Sequence, residues 1–130
     1  MPCPDCDAEQ VRLDVPTELR VYAPEREAAV AICTRCLRVE PVEGDTAPAG
    51  EPHEISDSLP AEEATAVALL LAVEKLSSVT LNREAIEGLV AHAEREGVDY
   101  RLALERLAAD PDLDPGVDVA RRLQQFEQLS

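Results

Sequence analysis

The chain has 130 residues, 27 acidic against 12 basic side chains for a formal charge of -15, and three aromatic residues, Tyr22, Tyr100 and Phe126. That length suits one compact domain, or a small one with a helical appendage. No uninterrupted apolar run reaches 18 residues and no basic start precedes an apolar stretch, so neither a membrane span nor a secretory signal is expected, and the expected location is cytoplasmic.

The charge pattern carries its own expectation. Lys75 is the only lysine, alanine and valine are abundant, and large apolar side chains are few. An acid surplus with arginine favoured over lysine fits a salt-filled, halophilic cytoplasm, where the Debye length is about 3 Å and carboxylate self-repulsion is screened. A GC-rich genome would also favour alanine, arginine and aspartate, so an ordinary acidic protein is the alternative.

The first segment, residues 1–42, opens and closes on cysteines. Cys3-Pro4-Asp5-Cys6 and Cys33-Thr34-Arg35-Cys36 share the C-x-x-C spacing, lie 26 residues apart and use all four cysteines of the chain. Between them, Val11, Leu13 and Val15 alternate with Arg12 and Asp14, which predicts a strand with one buried face. Pro16 ends it, Thr17 to Tyr22 can make one helical turn, and Ala28 to Cys33 is an apolar strand delivering the second pair. Leu37, Val39 and Val42 alternate as a third. Two cysteine knuckles joined by short antiparallel strands is the plan of a zinc ribbon.

Residues 43–59 change composition. With the flanking Pro41 and Pro60, the stretch carries Pro48, Pro52, Gly44 and Gly50, five acidic residues and no basic one, and reads as an extended linker. Ile55 and Leu59 are placed to dock its end.

From 60 to 130 the periodicity is helical. Pro60 fits a helix start with Glu62 and Glu63 in the first turn. That helix, over 60–78, is apolar on nearly every face from Ala64 to Val73 and must be buried all round, by its neighbours or by a second copy of the chain. Asn82 reads as the N-cap of the next helix, with Leu81 and Ile86 as a staple and Gly97 as its C-terminal stop. Asp99 caps a third helix with Leu104, Leu107 and Ala108 inward, and Asp110-Pro111 ends it. Val119, Leu123, Phe126 and Leu129 mark the last. The fold class expected is α+β: a small N-terminal zinc ribbon followed by a C-terminal bundle of about four helices.

Cys3, Cys6, Cys33 and Cys36 are the candidate metal ligands. In a reducing cytosol paired C-x-x-C motifs are more often zinc sites than disulfides, and four thiolates suit tetrahedral Zn2+. Four protein ligands leave no position for water, so the zinc is structural, the staple of a segment too poor in apolar side chains to fold alone. A redox C-x-x-C normally opens a helix, which neither pair does here. Arg12, Arg20, Arg26, Arg35 and Arg38 face eight carboxylates over residues 1–40, less acidic than the rest but not a basic patch. His53 and His92 lack ligand-spaced partners and read as surface or partly packed histidines. Glu94-Glu96 and Asp110-Asp112-Asp114 read as solvated charge. There is no glycine-rich phosphate loop, no G-x-S-x-G and no Ser/His/Asp arrangement, and an enzyme is not expected.

The opening MPCPDCDAEQ, the segment ICTRCLRVEP, the acidic linker and the tail ALERLAADPDLDP together resemble an uncharacterised family of small haloarchaeal proteins. The likeness covers most of the chain and implies a zinc ribbon in a cytoplasmic protein. The chain is also similar to the wider group of small CPxCG-type zinc-finger proteins, except that Asp7 and Leu37 stand where that pattern has glycine. Aspartate tolerates a left-handed backbone better than leucine does. The function expected is that of a non-enzymatic adaptor or regulator acting through protein contacts, the simplest being a homodimer through the 60–78 helix. A ribbon contacting nucleic acid, or the transcription or translation machinery, is the alternative.

Overall fold

The computed structural model describes residues 2–42 and 49–129. Among them are three strands, β1 (Gln10–Asp14), β2 (Ala29–Cys33) and β3 (Val39–Pro41), then four α-helices, α1 (Glu63–Lys75), α2 (Val79–Arg95), α3 (Tyr100–Ala109) and α4 (Val119–Leu129). The fold class is α+β, as the sequence pattern predicts.

The sheet is antiparallel in the order β1-β2-β3. Its register sets Val11 opposite Ile32 and Ile32 opposite Val39, with Leu13 opposite Val30. Because side chains alternate across a strand, these five share one face, and all are buried in the main core. The other face carries Arg12, Ala31 and Glu40 in one row, over a small buried cluster of Ala29, Ala31 and Val42. The turn expected at Thr17 to Tyr22 is a 3-10 helix. The third strand is shorter than the alternation suggests, because Leu37 belongs to the second cysteine knuckle.

Residues 65–73 of α1 are all buried within one chain, against β1, β3, α2 and α3. The helix therefore meets the need to be covered on every side without a second copy. By length and composition the run Glu63–Arg95 is apolar enough to cross a membrane. Ser78, at φ -145 and ψ 85, breaks it into two helices that pack on each other, and the apolar half lies inside the protein.

Two helix starts differ from the sequence reading. Pro60 precedes α1, which begins at Glu63, and Glu62 accepts from the Thr65 hydroxyl at 3.0 Å. Asn82 does not cap α2. It lies inside the first turn, and its Nδ2 donates to the carbonyl of Lys75 at 3.1 Å, satisfying an orphan acceptor at the end of α1. Leu81 consequently points to solvent, 86% exposed, and forms no staple with Ile86. In α3 Ala103 rather than Ala108 is buried with Leu104 and Leu107.

Other ends follow the sequence. Gly97, at φ 81, donates to Glu94, and Val98 donates to Ala93, a Schellman stop for α2. The Asp99 carboxylate accepts from Leu102 N at 3.1 Å and opens α3. Asp118 accepts from Arg121 N at the start of α4, a cap that the sequence pattern did not mark.

Of the stretch read as linker, 43–48 lies outside the described residues. Residues 49–59 are folded onto the protein rather than extended. Gly50 N donates to Arg12 O at 3.1 Å, Pro52–Glu54 form a 3-10 turn with a capping box, and Ile55 and Leu59 join the core. The buried Ser56 hydroxyl donates to Asp110 at 2.6 Å, fastening this segment to the end of α3. One hydrophobic core thus contains Leu13, Ile32 and Leu37 from the cysteine segment and Leu70, Leu89, Leu104 and Phe126 from the helices.

Candidate metal centre

Each cysteine pair sits on a tight turn, and the two turns are near copies. In the first, Cys3 N donates to Ala8 O and Asp7 N to Cys3 O, both at 2.8 Å; in the second, Cys33 N donates to Arg38 O at 3.0 Å and Leu37 N to Cys33 O at 3.2 Å. Both turns close through a left-handed residue one place after the second cysteine, Asp7 at φ 65 and Leu37 at φ 62. These are the positions where glycine would be at ease. Leucine in this region costs about 1–2 kcal/mol. Leu37 is 2% exposed within the core, and burying a leucine gains about 1.5–3 kcal/mol, so burial outweighs strain.

A paired prediction follows from that balance. Leu37→Gly removes the strain together with the buried side chain, and is expected to lower stability by about 1–3 kcal/mol. Asp7→Gly, at an exposed site, is expected to raise it by up to about 1 kcal/mol. Urea unfolding of both variants measures the difference in sign.

The sheet register brings the turns together. β1 leaves the first knuckle and pairs with β2, whose last residue is Cys33, and Gln10 stands opposite Cys33. Thr34 N and Oγ1 both donate to Glu9 O at 2.9 Å, locking the second knuckle to the start of β1. Arg38 reaches across to Asp5 of the first knuckle at 2.5 Å. Asp114 N donates to Arg35 O at 2.7 Å, tying the second knuckle to the loop before α4.

The four sulfurs converge. All Sγ atoms of Cys3, Cys6, Cys33 and Cys36 lie within 4.8 Å of one another, with Cys3 to Cys36 at 3.7 Å and Cys6 to Cys33 at 3.3 Å. A tetrahedral ion with metal–sulfur bonds of about 2.3 Å requires sulfur–sulfur edges of about 3.8 Å, so the cluster can hold a metal ion with small adjustments.

The local electrostatics favour a cation. Burial pushes the Cys33 and Cys36 thiols up, while the backbone N–H of Ala8 leads the groups that hold the exposed Cys6 below its ordinary value. Cys33 Sγ also accepts from Arg35 N at 3.4 Å and Cys36 N at 3.3 Å, a sulfur arranged to carry negative charge. Buried thiols of raised pKa ionise readily only beside a positive ion, and a bound metal supplies that charge.

The other candidates do not join this cluster. His53 Nε2 lies 3.0 Å from Leu59 O, and His92 is buried on α2 with no hydrogen-bond partner for Nε2 among the described residues. Sequence periodicity did not reveal that burial, because His92 sits at the edge of the apolar stripe of α2. Among the described residues the four cysteines are the one group of metal-ligating side chains that converges. The arginines are dispersed: Arg20 donates to Val15 O beyond the end of β1, whereas Arg38 is engaged with Asp5 at the knuckles.

Beside the second knuckle lies a groove of about 450 Å³ between Leu37, Val39, Val73 and Val117, with Arg38 and Glu74 on its rim. Burial raises the Glu74 carboxyl, opposed by Lys75 and Arg38. Sequence reading missed this groove, since its walls come from the knuckle, the end of α1 and the loop before α4.

The chain belongs to a family of unknown function, DUF6276, whose model matches residues 2–130. No curated protein and no solved structure matches it.

Proposed function

We propose that the protein is a small cytoplasmic adaptor or regulator, not an enzyme, in which a structural Zn2+ on Cys3, Cys6, Cys33 and Cys36 fixes a surface that binds another protein. The observation that carries this reading is the convergence of four protein sulfurs within 4.8 Å, a donor set that fills every tetrahedral position and leaves none for substrate or water.

The groove beside the second knuckle is the surface assigned to the partner: Val117, Arg38 and Glu74 line it over the buried Leu37, Val39 and Val73, so the second knuckle fixes its shape. The nucleic-acid alternative draws little support, since Arg20 and Arg38 lie at opposite ends of the sheet and both are engaged within the chain.

Affinity capture from source-cell extract in molar KCl tests the reading, with wild type compared against Val117→Glu. A defined protein partner retained by wild type, insensitive to nuclease and lost with the variant, is the expected result. Nucleic acid in its place, removed by nuclease, overturns it in favour of the alternative.

The charge of -15 supports a halophilic setting. The fold is expected to loosen as KCl falls from molar to millimolar, because the Debye length grows beyond about 10 Å and carboxylate repulsion returns. Circular dichroism across that range checks it, and an unchanged spectrum contradicts it.

A further inference from the structure

The four sulfurs are unequal in their access to solvent. Cys33 is 0% and Cys3 2% exposed, Cys36 is partly covered, and Cys6 is exposed. The sulfur nearest Cys6 for which a direct contact is formed is that of Cys33, 3.3 Å away on the opposite knuckle. The other direct sulfur contact, Cys3 to Cys36, also crosses between knuckles.

We propose that Cys6 is a site of oxidative modification by hydrogen peroxide, at which attack releases the metal and replaces it with a disulfide joining Cys6 to Cys33. The chemistry presupposes the four-thiolate zinc reading above. The Cys6 thiolate attacks one peroxide oxygen, forming a sulfenic acid and expelling hydroxide, which takes a proton to become water. The Cys33 thiolate then attacks the Cys6 sulfur and expels the sulfenic oxygen as a second hydroxide, likewise protonated. Two thiolates lose two electrons in all, and one peroxide becomes two waters. Closing the bridge brings the sulfurs from the edge of about 3.8 Å of a loaded tetrahedron to about 2.0 Å, a movement the exposed first knuckle can supply. Without metal the same two sulfurs already approach to 3.3 Å.

Burial assigns the order. A peroxide reaches Cys6 from solvent but has no path to Cys33, so Cys33 acts as the resolving thiol. Two of four ligands are lost in one event, and the remaining pair, Cys3 and Cys36, no longer fills a tetrahedral site. The consequence is particular to this geometry. The new bond joins the same two knuckles that the metal joined, so the oxidised ribbon stays closed where a chelated one opens. A bond within either C-x-x-C would leave the knuckles unlinked.

The test uses the full-length zinc-loaded protein in molar KCl, with its zinc content measured first. Hydrogen peroxide is added stepwise, released zinc is followed with a chromogenic chelator, and disulfides are mapped by mass spectrometry after non-reducing digestion. One zinc released per Cys6–Cys33 bridge, with native circular dichroism and reversal by dithiothreitol plus zinc, is expected. Bridges confined to Cys3–Cys6 or Cys33–Cys36, or zinc retained after oxidation, overturn the proposal and leave the zinc reading intact. Protein purified without metal and unable to take it up overturns both. Because Cys6→Ser removes a ligand and can itself open the ribbon, the order of attack is read on the wild-type chain with limiting iodoacetamide. Cys6 is expected to label first, and any other first-labelled cysteine overturns the assignment.

Discussion

Cys33→Ser is expected to unfold the helices together with the sheet, in one transition, and to lower stability by more than about 4 kcal/mol, the range reached on losing a structural metal. Cys33 ends the central strand, is 0% exposed, and its sulfur receives two backbone N–H groups. A serine there removes a ligand and leaves those donors without the charge they face. Were the ribbon tethered by a free linker, the damage would stop at residue 42. The shared core argues otherwise, because Leu13, Ile32 and Leu37 pack in one cluster with Leu70 and Leu89. Two tyrosines report different places: Tyr22 comes from the cysteine segment and sets its ring against Gly88 of α2, at the seam between sheet and helices, and Tyr100 opens α3 within the helical half. Single-tyrosine variants followed by fluorescence in urea should give coincident transitions. A helical half that melts separately and later would contradict the single core.

Leu70→Ala is expected to cost about 3–5 kcal/mol, the upper part of the range for leucine truncation in a core that cannot collapse. Leu70 is 0% exposed in the middle of α1, the helix enclosed by the sheet on one side and other helices on the rest. Leu81→Ala serves as the contrast. At 86% exposed it is expected to change stability by no more than about 0.5 kcal/mol. The two leucines stand eleven positions apart in the sequence, so equal losses would mean that α1 is not the centre of the fold.

What the sequence made legible had a short-range physical basis. The C-x-x-C pairs declared the four-cysteine cluster because spacing alone sets two sulfurs on each turn. Val11 and Leu13 declared their strand by period-two alternation, and the run from Ala64 to Val73 declared burial on all sides. Less legible were features decided by groups distant in sequence. Asn82 has the chemistry of an N-cap, yet the break at Ser78 puts it within reach of the Lys75 carbonyl, where it closes the preceding helix instead. Residues 49–59 have linker composition, but Gly50 meets the backbone of Arg12 and Ser56 meets Asp110, 54 positions along the chain. Leu37 read as a strand residue by alternation and proved to be a turn residue. Its left-handed backbone is tolerated because its side chain is buried in the main core, which no local pattern announces.

The most direct test of the four-sulfur centre is substitution with Co2+ and the visible spectrum of the resulting protein. Four cysteine ligands in a closed tetrahedron predict intense d–d bands with sulfur-to-cobalt charge transfer, quenched by one equivalent of Zn2+. Weak bands of octahedral type, or a spectrum unchanged when Cys33 is replaced, would contradict the centre on which the account rests.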